Sequence, residues 1–155
     1  MATTNARLQL TNDVTSSIAT IDATFSLLKA GSAEGMDNMT SVRKILKSTN
    51  QVDLITALSV PGNIGTADNA ASSSHNFVYI NNASTDSTEF ITVTQGHAAG
   101  SGTEVIVEQI GRLYGGDWMF IPWSAQVTAD AADVGDICIK PNVATEMPIE
   151  FILFS

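Results

Sequence analysis

The segment that most constrains this chain is residues 113–155. Leu113 to Trp123 is an aromatic and apolar run broken by Gly115, Gly116 and Asp117. Asp136 to Lys140 alternates polar and apolar, and Pro148 to Phe154 is apolar except for Glu150. Period-two patterning, β-branched and aromatic residues, and Gly/Pro punctuation read as three short strands in series. The third strand carries Ile149, Phe151, Ile152, Leu153 and Phe154. Left unpaired in water, such a strand is an aggregation template. It is therefore expected to be stapled into an all-β core or a subunit contact.

Upstream, the same grammar recurs. Leu8 and Leu10 alternate with Gln9 and Thr11, and Ser17 to Lys29 puts Ile21, Phe25 and Leu27 on one face. Gln51 to Val60 reads as a strand ended by Pro61, Gly62 and Asn63. Phe77 to Asn81 is a strong strand, and Glu89 to Thr94 reads as its hairpin partner across a longer loop. Glu104 to Leu113 follows. Pro122 demotes Trp118–Trp123 to an edge strand or a bulge. One segment breaks the pattern. In Thr40 to Lys47, Val42, Ile45 and Leu46 fall at i, i+3 and i+4, with Arg43, Lys44 and Lys47 opposite. That spacing predicts a helix of two turns at most, with a strand over Val42 to Leu46 as the alternative. Residues 66–76 are rich in Ala, Ser, Asp and Asn, a loop long enough to need an explanation, one being that it lies on a neighbouring subunit. The expected fold class is mainly β: an antiparallel β-sandwich or jelly-roll-like single domain over 1–155, with at most one short helix near 40–47. Residues 1–65 are either part of that domain or a subdomain that contacts a lattice.

Composition narrows the partners. The 155 residues carry a net charge of −9, and the only basic cluster is Arg43, Lys44 and Lys47. Binding to nucleic acid or to an anionic membrane needs a basic face, so both are disfavoured. Only 15% of residues are charged, against roughly 25% in an average domain. Either partner subunits cover part of the surface, or Ser, Thr and Asn make it polar without charge. The N-terminus has no apolar core of a signal peptide, and no apolar run reaches the ~18 residues of a membrane span. Synthesis in a cytoplasm is expected.

The candidate chemistry is sparse. Cys138 is the only cysteine and sits in an alternating strand, where it reads as a small apolar side chain. His75 and His97 stand at no recognised metal spacing. Asp130, Asp133 and Asp136 lack the alternating ligands and the terminal Glu of a calcium loop, and read as a solvated turn. There is no nucleophile elbow, phosphate loop or dinucleotide fingerprint. No catalytic residue, cofactor or metal is assigned, and the chain is expected not to be an enzyme. The aromatic residues are the remaining signal. Trp118, Phe120 and Trp123, together with Phe151 and Phe154, are the candidate subunit or partner interface, since Trp is enriched at such contacts. An aromatic platform for sugars is the other reading of the tryptophans.

Residues from about Phe77 to Ser155 carry a sequence of features: Phe77 to Ser84, Leu113 to Trp123, Asp136 to Ile139 and Ile149 to Leu153. A strand ends in a polar turn; a glycine–acid–aromatic strand with a proline follows; a closing strand completes the series. This half resembles the small virion structural proteins of tailed bacteriophages, in particular capsid decoration (cement) proteins. The resemblance implies a non-catalytic β-sandwich, a homo-oligomer (trimer or dimer) bound to the major capsid protein, and localisation in the virion after assembly in the host cytoplasm. It implies no site residues. A tail- or fibre-associated structural protein and a carbohydrate-binding adhesin module are the alternatives.

Overall fold

The structure, a computed structural model, describes residues 4–10, 21–28, 35–36, 39–55, 76–97, 105–123 and 137–154. These form ten strands and no helix: β1 (Thr4–Leu10), β2 (Ile21–Leu27), β3 (Met39–Leu46), β4 (Val52–Ile55), β5 (Asn76–Asn82), β6 (Phe90–His97), β7 (Val105–Tyr114), β8 (Trp118–Trp123), β9 (Ile137–Pro141) and β10 (Met147–Phe154). The mainly-β expectation holds. β1 and β2 make a two-stranded sheet of their own. The other eight fall into two four-stranded sheets, ordered β3-β10-β5-β8 and β4-β9-β6-β7. Every pairing is antiparallel.

Four of these pairings nest one inside another: β3 with β10, β4 with β9, β5 with β8 and β6 with β7. The eight strands are thus one long hairpin folded across itself, with β10–β5 and β9–β6 closing the two sheets laterally. A single hydrophobic cluster draws on both sheets. Val78, Ile80, Met147, Ile149, Leu153 and Trp123 come from the first; Leu54, Ile91, Val93, Leu113, Ile137 and Ile139 come from the second. Alternation does the sorting, because successive side chains of a strand point to opposite faces. In β10, Met147, Ile149 and Leu153 are buried while Pro148, Glu150, Ile152 and Phe154 are only half-buried. The expected stapling of the terminal strand is observed: β10 lies inside its sheet, paired on both sides.

Two expectations need correction. The helix over 40–47 is instead the edge strand β3, aligned with β10 along its whole length from Met39↔Phe154 to Leu46↔Met147. Only Leu46 is buried in β3, so the apolar spacing at Val42 and Ile45 marks no helix face against the core. A two-turn helix is marginal on its own, and eight residues of ladder override the weak propensity. Salt bridges tie the same two strands: Arg43 lies 3.5 Å from Glu150, directly opposite, and Lys47 lies 2.7 Å from Glu146.

The second correction is the hairpin between Phe77–Asn81 and Glu89–Thr94. β5 and β6 lie in different sheets. Residues 83–89 carry the chain across the end of the molecule, and Asn82 pins the crossing. Its side-chain amide donates to the carbonyls of Glu89 (3.3 Å) and Leu113 (3.1 Å), while its side-chain oxygen accepts from the Ser84 amide (3.2 Å). Its main-chain N–H donates to the Asp117 carbonyl and its own carbonyl accepts from the Gly116 amide. Asn82 is fully buried, and a buried polar group is tolerated only when paired in this way. The neighbouring turn approaches so closely that a Cβ on Gly115 would lie 2.2 Å from the Asp86 carbonyl oxygen, and Gly116 has φ of +88°. Only glycine fits both positions.

Residues 66–75 lie outside the described residues, as do Asp130, Asp133, Asp136 and His75. So do residues 56–60 of the strand expected from Gln51 to Val60. Its first part is β4, and β3 and β4 are integral strands of the two larger sheets.

Candidate functional site

The outer face of the β3-β10-β5-β8 sheet is built from the residues that alternation turns away from the core. Register aligns them in rows. Phe154, Phe77 and Pro122 lie across β10, β5 and β8, followed by Ile152, Tyr79 and Phe120, then Glu150, Asn81 and Trp118. Aromatic side chains on adjacent strands reach their diagonal neighbours. Phe77 stacks on Phe120 with centroids 5.3 Å apart and planes 5° from parallel. Phe120 meets Phe154 edge-on at 6.1 Å, and Tyr79 lies against Trp118 at 6.0 Å with a 33° tilt. Five rings thus form one continuous aromatic surface. Trp118, at its margin, is 51% exposed.

The β1–β2 hairpin stands over this surface. Between them lies a cleft of about 550 Å³, lined by Thr4, Asn5, Ala6, Arg7, Leu8 and Leu27 on the hairpin side and by Tyr79, Trp118, Phe120 and Phe154 on the sheet side. The hairpin is braced beside it. The Thr4 hydroxyl donates to the Met36 carbonyl at 2.8 Å, and the Ser26 hydroxyl donates to Asn5 Oδ1 at 2.8 Å. Among the described residues, the lining holds no carboxylate, imidazole or thiol. Its chemistry is apolar contact and ring stacking, with one guanidinium at Arg7. Its volume lies within the range of ligand-sized pockets, roughly 300–1,000 Å³.

The five expected interface residues are divided by the sheet. Trp118, Phe120 and Phe154 share the outer aromatic face. Trp123 and Phe151 point the other way: Trp123 is a member of the core cluster at 5% exposure, and Phe151 packs against that cluster. Trp123 therefore belongs to the interior and not to an exposed contact. Parity alone separates them, because 118 and 123, or 151 and 154, differ by an odd number on one strand. The same rule would have found Phe77 and Tyr79, which sit two apart on β5 and complete the surface.

A polar cluster caps the molecule where the loops cross. The Ser84 hydroxyl hydrogen-bonds Glu89 Oε2, and the Thr145 hydroxyl donates to Glu89 Oε1 at 2.7 Å. Asn142 accepts from the Phe90 amide and donates to the Thr88 carbonyl. Asp86 accepts from the hydroxyl and the amide of Thr88, and these bonds hold its carboxyl below the usual carboxylate range. Each group is used in fixing a turn. Among the described residues, no three His, Cys, Asp or Glu side chains gather to hold a metal. Cys138 is buried, with its thiol 3.1 Å from Asp53 Oδ1.

No protein-family model, curated protein or solved structure matches this chain.

Proposed function

We propose that this protein is a non-catalytic structural component of a tailed-phage particle, a decoration protein that binds the assembled shell and clamps it. The observation that carries the reading is the continuous aromatic surface of Phe77, Tyr79, Trp118, Phe120 and Phe154 outside the core. Aromatic residues are enriched at the centres of protein interfaces, and large apolar patches on a folded surface mark contact sites. The nested strand order adds support by analogy of architecture. A long hairpin folded into two sheets resembles the jelly roll, an arrangement used by viral capsid and lectin domains. Such analogy bears on fold more than on function. The low charge and exposed apolar side chains such as Met39, Val42, Ile45 and Trp118 fit a surface completed by other subunits. A protein that binds only the assembled lattice stabilises it by mass action. A closed cyclic homo-oligomer suits the repeated sites of a symmetric shell.

The test is co-sedimentation with the empty shells of the encoding phage, with light scattering to give the oligomer. Trp118→Asp is the informative variant, because Trp118 is exposed and its loss leaves the core intact. The wild-type chain should pellet with shells and Trp118→Asp should remain in the supernatant. Equal pelleting of both, or of neither, would sink the reading. A carbohydrate-binding adhesin is the second reading, favoured by the half-exposed indole of Trp118 beside Tyr79. Specific retention on a glycan column, lost in Trp118→Asp, would select it.

A further inference from the structure

β3 is exposed along nearly its whole length. Met39 to Ile45 are all exposed, at both parities, and only Leu46 is buried. A strand covered on one face would alternate, so neither face of β3 is covered over this run. Met39, Val42 and Ile45 are 64%, 39% and 48% exposed. Among the described residues the ladder of β3 runs to β10 alone, in one unbroken register. Alternate residues of such an edge turn their N–H and C=O away from the sheet, and these groups are met either by water or by another strand. The other edges of the two larger sheets are spoiled for pairing. β8 contains Pro122, β4 has four residues and a register shift, and β7 pairs through two shifts. Proline, short length and bulges are the usual protections of an edge. β3 has none of them.

Charge is the remaining protection, and on β3 it restricts the register of pairing. Pairing with a second copy about a two-fold axis sets residue i against j and j against i. The faces stay continuous only when paired residues share parity. With the axis at Val42, Val42 meets the partner's Val42 and Met39 meets the partner's Ile45. Thr40 then meets the partner's Lys44, and Ser41 meets the partner's Arg43. The whole exposed run is matched, apolar with apolar and cation with hydroxyl, and the buried Leu46 lies just outside it. An axis at Arg43 or at Lys44 sets that cation against its own copy. An axis at Ile45 sets Arg43 against the partner's Lys47, and one at Ser41 shortens the ladder and sets Met39 against the partner's Arg43. Like charges directly opposite are destabilising, so the sequence of β3 favours the Val42 register. Arg43 keeps its own partner meanwhile, Glu150 on β10 at 3.5 Å.

We propose that two copies of this chain pair through β3, edge to edge and antiparallel about a two-fold axis at Val42, joining their β3-β10-β5-β8 sheets into one continuous sheet. Main-chain bonds give the affinity, as in other strand additions, and Met39, Val42 and Ile45 form the apolar seam. This names a contact for the homo-oligomer of the proposed function and rests on nothing else in that reading. The dimer is measured in solution without shells, so its failure and the failure of shell binding are separate results.

Sedimentation velocity on the full chain should show self-association at micromolar concentration. Val42→Lys sets two ammonium groups against each other on the axis. It should raise the dissociation constant by an order of magnitude or more and leave the circular-dichroism melt unchanged, because Val42 is exposed. Val42→Cys tests the register directly and does not depend on how Val42→Lys folds. On the axis this residue meets its own copy with Cα atoms about 4.5–5.5 Å apart, within the span of a disulfide. Mild oxidation should give a cross-linked dimer. Arg43→Cys, which faces the partner's Ser41 and not its own copy, should cross-link far less. The wild-type chain, whose only cysteine is the buried Cys138, is the blank. A monomeric wild-type chain overturns the proposal. So does self-association that Val42→Lys leaves intact, and so does equal cross-linking at positions 42 and 43.

Discussion

Trp118 and Trp123 stand at the two ends of one six-residue strand and live in different environments. Trp123 is 5% exposed and packed among the aliphatic side chains between the two sheets. Trp118 is 51% exposed on a surface of stacked rings. The contrast extends to the whole β3-β10-β5-β8 sheet. Its inner face is mainly aliphatic, with Val78, Ile80, Met147, Ile149 and Leu153. Its outer face is aromatic, with Phe77, Tyr79, Trp118, Phe120 and Phe154. Aliphatic side chains interlock at crystal-like density across two layers. Planar rings instead offer broad contact area at low entropic cost to something outside the sheet. One face holds the fold together and the other lines the cleft beneath the β1–β2 hairpin.

The largest test removes both faces at once. Deleting 149–155 takes out most of β10, the strand that joins β3 to β5. Ile149 and Leu153 are buried, and each such side chain contributes about 1.5–3 kcal/mol. With the lost ladders, this exceeds much of a typical stability of about 5–15 kcal/mol. Insoluble or unfolded protein by circular dichroism is expected; a soluble truncation with an unchanged melting curve would refute the central role of β10.

Next comes the tryptophan pair itself. Trp123→Ala should lower stability by about 3–5 kcal/mol in urea melts, the usual cost of emptying a core aromatic site. Trp118→Ala should cost less than about 1 kcal/mol, as surface changes do, while weakening partner binding. Equal losses at the two positions would erase the distinction between the faces.

Asn82 tests whether the inner face tolerates polarity only through pairing. Asn82→Ala removes the side-chain bonds to the Glu89 and Leu113 carbonyls and takes the Asn82 acceptor from the buried Ser84 amide, while the Glu89 carbonyl keeps the Gly115 amide. An orphaned buried group costs about 1–3 kcal/mol, so the melting temperature should fall by several degrees. If it does not, the crossing loops are held by other contacts.

The smallest effect belongs to exposed charge. The hydrogen bond and attraction from Lys47 hold the Glu146 carboxyl below the ordinary carboxylate range, and the same contacts raise Lys47. A carboxyl with a depressed folded-state pKa stabilises above its unfolded value, and that contribution is lost as pH falls through the folded value. The loss therefore falls on the acid side of the ordinary Glu range. Both groups are solvent-exposed, where ion pairs contribute little. Glu146→Gln should change the acid limb of a melting-temperature profile only marginally. A shift rivalling that of Asn82→Ala would show that charge, and not burial, governs this sheet.

Local patterning carried much of this protein in plain view. The strands around Leu8, Phe77, Ile91, Trp118, Ile137 and Ile149, and the edge position of the Pro122 strand, follow from alternation and punctuation, which are properties of neighbouring residues. So does the division of Trp118 from Trp123, legible in the parity of their numbers once a strand is assigned. Pairing between distant strands was not legible. Val42, Ile45 and Leu46 satisfy a helix period as well as a strand, and only the ladder to β10, about a hundred residues on, decides between them. The turn after Asn82 looks like a hairpin because proximity in sequence favours it. It becomes a crossing between sheets because Asn82 finds the Leu113 carbonyl and the Asp117 loop, partners that exist only in three dimensions. The cleft arises in the same way, from the β1–β2 hairpin brought over rings from β5, β8 and β10. Side-chain alternation is a short-range steric rule and can be read from the chain. Which strands meet, and what surface they leave between them, is set by the summed free energy of long-range burial and hydrogen bonding, which no local window contains.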